Sequence, residues 1–248
     1  MVRVLIIDDE VKARNILRHY LEQNVVHPME IREAESADVA LSMLDEYNPE
    51  IVFLDVEMPG KSGFDFLAEV KSPSFNIIFT TAFNQYAIQA IRFSALDYLL
   101  KPIDPEELSA AVQRHLDAEA SRQSQKELYQ NLMQNLAKPE PSEFKIAIKS
   151  TDGTHFFLLK DIIRMEADSS YTHIFLTNGK KFTASKTLKY MEEMLDGHEF
   201  MRTHKSHLIN TKYLKQVSAD HSIATMSDGS QVEVSRRKKD EIKNLIGS

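Results

Sequence analysis

IVFLDVEMPGKSG, residues 51–63, is the stretch that decides the fold. Its first four residues are apolar without alternation, as in a strand buried on both faces of a sheet. The run ends on Asp55, and Gly60 and Gly63 then permit a tight loop. Working outward, VRVLII (2–7) is a second run of this kind and ends on Asp8 and Asp9. EIREA (30–34), NIIFT (76–80) and DYLL (97–100) supply three more. Between the runs lie helical spacings: Ala13, Ile16, Leu17, Tyr20, Leu21; then Val39, Ala40, Met43, Leu44; then Phe64, Phe66, Leu67, Val70; then Tyr86, Ala87, Ala90, Ile91. Five strand–helix units in a row predict an α/β domain, a doubly wound five-stranded parallel sheet with helices on both faces.

In such a sheet, reactive groups gather beyond the carboxyl ends of the strands. Asp8 and Asp9 follow the first strand, Asp55 the third, Thr80 and Thr81 the fourth, and Lys101 the fifth. Strands one, three, four and five are expected to be neighbours, so these side chains should converge. Three carboxylates in one pocket repel each other, and a hard divalent cation such as Mg²⁺ relieves that repulsion. Nucleophilic carboxylate, metal, ammonium and hydroxyl together suit phosphoryl transfer. A strand-end Asp pair taken alone would more often cap the next helix; the joint set on four strand ends is far more specific.

The fifth helix is expected to start after Asp104, with Pro105 at its first position. Residues 117–127 hold no apolar side chain larger than Ala, and Leu128, Leu132 and Leu136 then restore an apolar line. That pattern predicts a long helix leaving the domain to meet a partner helix or a second domain. Two prolines in KPEPSE (138–143) end it. The expected division is a first domain at 1–120, a helical extension and linker at 121–142, and a second domain at 143–248.

Beyond the linker the period changes to β. FKIAIKS (144–150), HFFLL (155–159), IIRMEA (162–167), YTHIFLT (171–177), KKFTAS (180–185), SIATMS (222–227) and QVEVS (231–235) read as strands. Asp152-Gly153, Asn178-Gly179 and Asp228-Gly229 are hairpin signals. One helix is expected at 187–195 and another at 237–246. FMRTHKSHLIN (200–210) and VSRRKKDEI (234–242) concentrate basic groups at expected loops. Their histidines invite a metal, but neither acids nor cysteines stand beside them at ligand spacing.

The chain has 248 residues and a formal net charge of −7. This length suits two domains at about 100–150 residues each. Residues 1–142 carry 13 basic and 23 acidic residues, a net of −10, whereas 143–248 carry 17 and 14, a net of +3. A polyanion would be drawn to the second part and repelled by the first. The absence of Cys excludes disulfide scaffolds, thiolate metal sites and cysteine nucleophiles. No apolar run approaches the roughly 18 residues of a membrane span, and the N-terminus lacks signal-peptide character, so a cytoplasmic protein is expected.

IIDDE, FLDVEMPGKSG, FTTA and DYLLKP resemble the receiver domain of two-component response regulators over roughly residues 1–120. The resemblance implies that Asp55 accepts a phosphoryl group from a sensor histidine kinase. It makes Asp9, Asp55 and the backbone carbonyl of Glu57 ligands of Mg²⁺, with Asp8 acting largely through metal-bound water. Thr81 becomes the switch hydroxyl, Lys101 the phosphoryl-binding cation before a cis Pro102, and Tyr98 an aromatic that turns inward on activation. The Glu57 side chain is either a group that repels or misplaces hydrolytic water or a solvated acid. DIIRMEADSSYTHIFL, FMRTHKSHLIN and EVSRRKK resemble the LytTR-type DNA-binding domain over about 143–246, a mostly-β fold that puts loops into successive grooves. Carried over by position, His173, Lys205 and Arg237 read bases in double-stranded DNA, Arg202 and Arg236 support them, and His204 is structural. Lys238, a compact charge, is expected on phosphate.

These resemblances imply a DNA-binding transcriptional regulator that forms a homodimer on phosphorylation, a self-phosphorylating switch and not a turnover enzyme. A haloacid-dehalogenase-like phosphatase also uses an Asp nucleophile and Mg²⁺, but its D-x-D-x-T motif follows the first strand, whereas Asp55 opens D-V-E after the third. A β domain that binds protein or RNA is the other competing reading.

Overall fold

In a computed structural model of the chain, the first part alternates strands and helices: β1 (Val2–Ile7), α1 (Val11–Asn24), β2 (Met29–Ala34), α2 (Ala37–Tyr47), β3 (Ile51–Asp55), α3 (Gly63–Val70), β4 (Asn76–Thr81), α4 (Gln85–Phe93), β5 (Asp97–Leu100) and α5 (Pro105–Asp117). The structure describes residues 1–70, 73–82, 85–94, 96–117, 122–138, 140, 143–150 and 153–246. The chain divides into two compact units, Met1–Lys138 and Pro139–Ser248.

The five strands of the first unit form one parallel sheet in the order β2-β1-β3-β4-β5. Alternate residues point to opposite faces. Val4, Ile6, Ile51, Phe53, Ile78 and Leu99 share a core with Leu17 and Leu21 of α1 and with Leu108, Ala111 and Val112 of α5. The other parity, including Leu5, Ile7, Val52, Leu54, Ile77 and Phe79, is equally inaccessible. On that side Phe64 of α3 meets Phe79 at 5.8 Å between ring centroids. Burial on both faces is why these runs lack alternation. Asp104 caps α5, accepting the amides of Glu106 at 2.7 Å and Glu107 at 3.2 Å.

The apolar line after α5 has a different destination from the one its sequence suggests. It forms α6 (Arg122–Leu136), which folds back onto α4 within the first unit. Leu128, Tyr129, Asn131, Leu132 and Asn135 are buried there. The Tyr129 hydroxyl donates to the Phe75 carbonyl at 3.2 Å, and the Asn131 amide donates to the Ser94 hydroxyl at 3.2 Å. Two buried asparagines complete the docking face, so the Leu128–Leu132–Leu136 line alone under-reported it; Leu136 is only half-buried. The expected extension is thus a sixth helix of the first unit.

The second unit is mostly β: β6 (Lys145–Ser150), β7 (Gly153–Leu158), β8 (Ile162–Asp168), β9 (Tyr171–Leu176), β10 (Lys181–Ala184), α7 (Leu188–Met194), β11 (Phe200–His204), β12 (His207–Asn210), β13 (Leu214–Val217), β14 (Ile223–Met226), β15 (Gln231–Glu233) and α8 (Lys239–Ile246). A five-stranded antiparallel sheet runs β10-β9-β8-β12-β11, beside a three-stranded sheet β13-β14-β15 and the pair β6-β7. Ile163 and Ile209 of the large sheet share a core with Ala224 and Met226 of β14, Val232 and Val234 near β15, and Ile242 of α8. Asn178-Gly179 and Asp228-Gly229 turn between adjacent strands, with Gly179 at φ 77° and Gly229 at φ 81°, conformations that favour glycine. Asp152 of the third expected turn lies outside the described residues.

One expectation changes here. Residues 200–210, read as a basic loop, form the β11–β12 hairpin with Lys205 and Ser206 at its turn. Arg202, His204, Lys205 and His207 masked the strands, whose inward residues are Thr203, Leu208 and Ile209.

Candidate functional site

The strand order brings the ends of β1, β3, β4 and β5 to one edge of the parallel sheet. Oxygens of Asp8, Asp9 and Asp55 lie within 4.8 Å of one another. Asp8 and Asp55 are buried. Lys101 spans them, with its Nζ 2.8 Å from Asp8 Oδ2 and 2.7 Å from Asp55 Oδ2. The Lys101–Pro102 bond is cis, and the Lys101 amide donates to the Thr81 carbonyl at 2.8 Å.

Burial raises the Asp55 carboxyl above its ordinary value, and Asp8 adds to the rise, against the opposing pull of Lys101. Burial by itself would lower Lys101, but its bonds to Asp55 and Asp8 outweigh that and hold the ammonium above its ordinary value. When ionised, three carboxylates around one ammonium leave an excess of two negative charges. That excess and the all-oxygen donor set fit a hard divalent cation. Thr81 is fully inaccessible, and its Oγ1 has no hydrogen-bond partner among the described residues. A buried hydroxyl without a partner calls for a ligand at this edge.

The loop after β3 is shaped around Asp55. The Glu57 amide donates to Asp55 Oδ1 at 3.3 Å, and the Gly63 amide donates to the Val56 carbonyl at 3.0 Å. A Cβ on Gly63 would stand 2.2 Å from the Asp55 carbonyl oxygen, so only glycine fits. Gly60 is required for a different reason, its φ of +81°. The Glu57 side chain is exposed.

In the second unit, Lys205 is exposed at the hairpin turn, and Arg236 and Arg237 are exposed in a single 3₁₀ turn after β15. The Ser235 amide donates to the Thr203 carbonyl at 2.8 Å, fastening that turn beside β11. Lys238 is tied to Glu241, at 2.7 Å and 2.8 Å to its two carboxylate oxygens. His173 on β9 sits between Thr183, at 2.9 Å from Nδ1, and Asp168, at 3.2 Å from Nε2.

Comparison with known proteins accounts for both units. Residues 4–113 match the response regulator receiver domain, and residues 152–247 match the LytTr DNA-binding domain. The chain is 32% identical over 253 residues to the sensory transduction protein LytT of Bacillus subtilis (strain 168), covering 99% of each. It is likewise 32% identical over 253 residues to the transcriptional regulatory protein LytR of Staphylococcus aureus (strain N315), again covering 99% of each. The chain belongs to the LytTR response regulators. Among its described residues no helix is long and apolar enough to cross a membrane.

In this response regulator the fold brings Asp8, Asp9, Asp55, Thr81 and Lys101 to one place. Tyr98 lies apart from that pocket in β5, paired in register with Phe79 and half-buried. Arg202 is engaged within its own unit. Its guanidinium donates to the His204 carbonyl at 2.7 Å, the Lys205 carbonyl at 2.5 Å and Glu192 at 2.7 Å, so it braces the hairpin turn from beneath.

One positioning residue escaped the sequence reading. Arg14 is buried and donates to the carbonyls of Asp8 at 2.7 Å and Asp9 at 3.2 Å while meeting Glu33 at 3.2 Å. It holds the turn that carries both acids. Its spacing from Leu17 and Leu21, three and seven residues on, was the available signal, because all three share the buried face of α1.

Proposed function

We propose that this response regulator is switched by phosphorylation of Asp55 and, once switched, binds paired DNA sites as a homodimer. The observation that carries the reading is the Asp55 carboxylate at a strand end, bonded to the Lys101 ammonium, with Lys101 in turn tied through its amide to Thr81, whose hydroxyl has no partner among the described residues. An Asp55 oxygen attacks the phosphorus of a phosphohistidine on a sensor kinase. The P–N bond breaks, the histidine nitrogen leaves with the electron pair, and Asp55 becomes an acyl phosphate. Asp8, Asp9, Asp55 and the Glu57 carbonyl would hold Mg²⁺, which supplies charge compensation to the phosphoryl oxygens.

The new group brings about −1.5 to −2 charges, by analogy with other phosphoryl modifications. Lys101, now shared between two carboxylates, follows those oxygens, and Thr81 donates its hydroxyl to one of them. Because the Lys101 amide is bonded to the Thr81 carbonyl, movement at β4 is passed to β5 and Tyr98. The face built from α4, β5 and α5 then changes and pairs with a second copy. The chain catalyses only its own phosphorylation and dephosphorylation, and in this reading it works in the cytoplasm.

Two linked LytTR units gain avidity on paired half-sites. His173, Lys205 and Arg237 face base edges, Arg236 and Lys238 meet phosphates, and Arg202 contributes through the turn it braces. Asp55→Asn keeps the shape and removes the nucleophile. It should abolish Mg²⁺-dependent labelling by acetyl phosphate and the phosphodonor-dependent gain in DNA affinity. Persistent labelling of the variant would place the acceptor elsewhere and overturn the reading.

A further inference from the structure

The fold joins what the sequence keeps apart. His204 closes β11, His207 opens β12 and Glu233 closes β15, and one ligand atom from each lies within 4.8 Å of the others. The acid missing from the ligand spacing around the histidines is therefore supplied by a strand 26 residues further along the chain. The two imidazoles pair across the hairpin, with ring centroids 5.9 Å apart. His204 Nδ1 stands 3.6 Å from Glu233 Oε2, close enough for attraction but too far for a hydrogen bond. His207 Nδ1 is buried and has no hydrogen-bond partner among the described residues.

We propose that His204, His207 and Glu233 form a transition-metal site that takes Zn²⁺ and clamps the two DNA-facing segments of the second unit together. Two imidazoles and one carboxylate are a zinc-type donor set and a poor one for Mg²⁺, which prefers oxygen ligands and keeps its waters. The site is thus chemically distinct from the all-oxygen cluster of the first unit. Burial lowers the pKa of His207, and although Glu166 and Glu233 oppose this, His204 and Arg164 reinforce it.

The placement of the ligands gives the ion its consequence. Lys205 lies between the two histidines, and Arg236 and Arg237 follow Glu233 by three and four residues. A metal on this triad holds the hairpin turn and the basic turn in one fixed relation. It also changes the local charge from −1 to +1 where a phosphate backbone would lie, which favours DNA. This coupling, but not the metal site itself, rests on the DNA-binding role proposed above.

The test is equilibrium dialysis of the full chain with Zn²⁺ in excess Mg²⁺, together with the visible spectrum of the Co²⁺-loaded protein. One Zn²⁺ per chain should bind in the presence of Mg²⁺, and Co²⁺ should show the intense bands of a low-coordinate site. Glu233→Gln should weaken binding at least tenfold; its side chain is 66% exposed, so the fold should survive. His207→Ala should abolish binding, and Asp9→Asn, which alters the oxygen cluster, should leave the Zn²⁺ stoichiometry intact. Equal Zn²⁺ affinity in wild type and Glu233→Gln, or Zn²⁺ that Mg²⁺ displaces, would overturn the site. Zn²⁺ should also raise affinity for duplex DNA in wild type and not in Glu233→Gln. An equal rise in both would overturn the coupling, while failure to bind duplex DNA with or without Zn²⁺ would count against the DNA reading alone.

Discussion

Replacing Leu132 by Ala tests the docking of α6. Leu132 is 0% exposed and sits among Leu128, Tyr129 and the two buried asparagines of the same helix face. Truncating a fully buried Leu costs about 2–5 kcal/mol, from lost transfer energy and the cavity left behind. Part of the cavity can close, because a 15-residue helix docked at the edge of the unit has room to shift, so about 3 kcal/mol is expected. An unfolding entropy near 2.1 cal/mol/K per residue amounts to about 0.29 kcal/mol/K for the 138 residues of the first unit. The first unit's melting temperature should therefore fall by roughly 10 °C, while the second unit's transition stays in place. Calorimetry of the full chain, with hydrogen exchange assigning each transition, measures this. Tyr129→Phe, which deletes the bond to the Phe75 carbonyl, should cost about 1 kcal/mol in the same assay. If Leu132→Ala left both transitions unchanged and instead altered the sedimentation of the chain, the stripe would be an intermolecular surface and the packing argument would fail.

Asp97 carries a pH-dependent contribution. Burial alone would raise its pKa, but His115 and Arg114 outweigh that and pull it to about 2. Because the folded value lies below the unfolded one, the stabilisation is complete above about pH 4 and disappears as pH falls through about 2. Arg114 is more than half exposed, which screens the pair, so Asp97→Asn should cost about 1–2 kcal/mol at neutral pH and nothing near pH 2. Denaturant midpoints across that range decide it, and a difference that persists unchanged at pH 2 would remove the ion pair as its cause. At the DNA surface, Arg237→Ala should cost about 1–3 kcal/mol and relax specificity at one position of each half-site. Lys238→Ala should weaken all sequences alike and by less, because Glu241 already shares its ammonium. Affinities for a site and its single-base variants across a salt series separate the two, and equal losses on every variant for Arg237→Ala would make it a phosphate contact.

Much of this protein was determined by sequence alone where the deciding signal is local. Unalternating runs such as IVFL specify strands buried on two faces, and the position of an acid, hydroxyl or lysine directly after such a run specifies which edge of the sheet it reaches. Asp8, Asp9, Asp55, the Thr80–Thr81 pair and Lys101 could therefore be placed at one edge from strand ends and strand order, while the choice of Thr81 over Thr80 came only from the receiver resemblance. Asp-Gly and Asn-Gly pairs marked hairpins for the same local reason.

The tertiary structure decided what depends on partners distant in the chain. The 128–136 line is apolar enough to pack but does not encode against what; α4 and Phe75 settle that, Asn131 joins the face by donating to the Ser94 hydroxyl, and Asn135 is buried on the same face. Arg202 was expected from the resemblance to support the base-reading residues, but nothing in the sequence pointed to the three acceptors that surround its guanidinium. Arg14 drew no reading from the sequence, and its role appears only where its guanidinium meets the carbonyls of Asp8 and Asp9. Glu233 had no visible relation to His204 and His207, since strand pairing across a sheet brings together residues whose separation along the chain carries no spacing signal. Local periodicity shows which face of an element is buried, but a side chain's partners are set by packing between elements, and that only the folded chain determines.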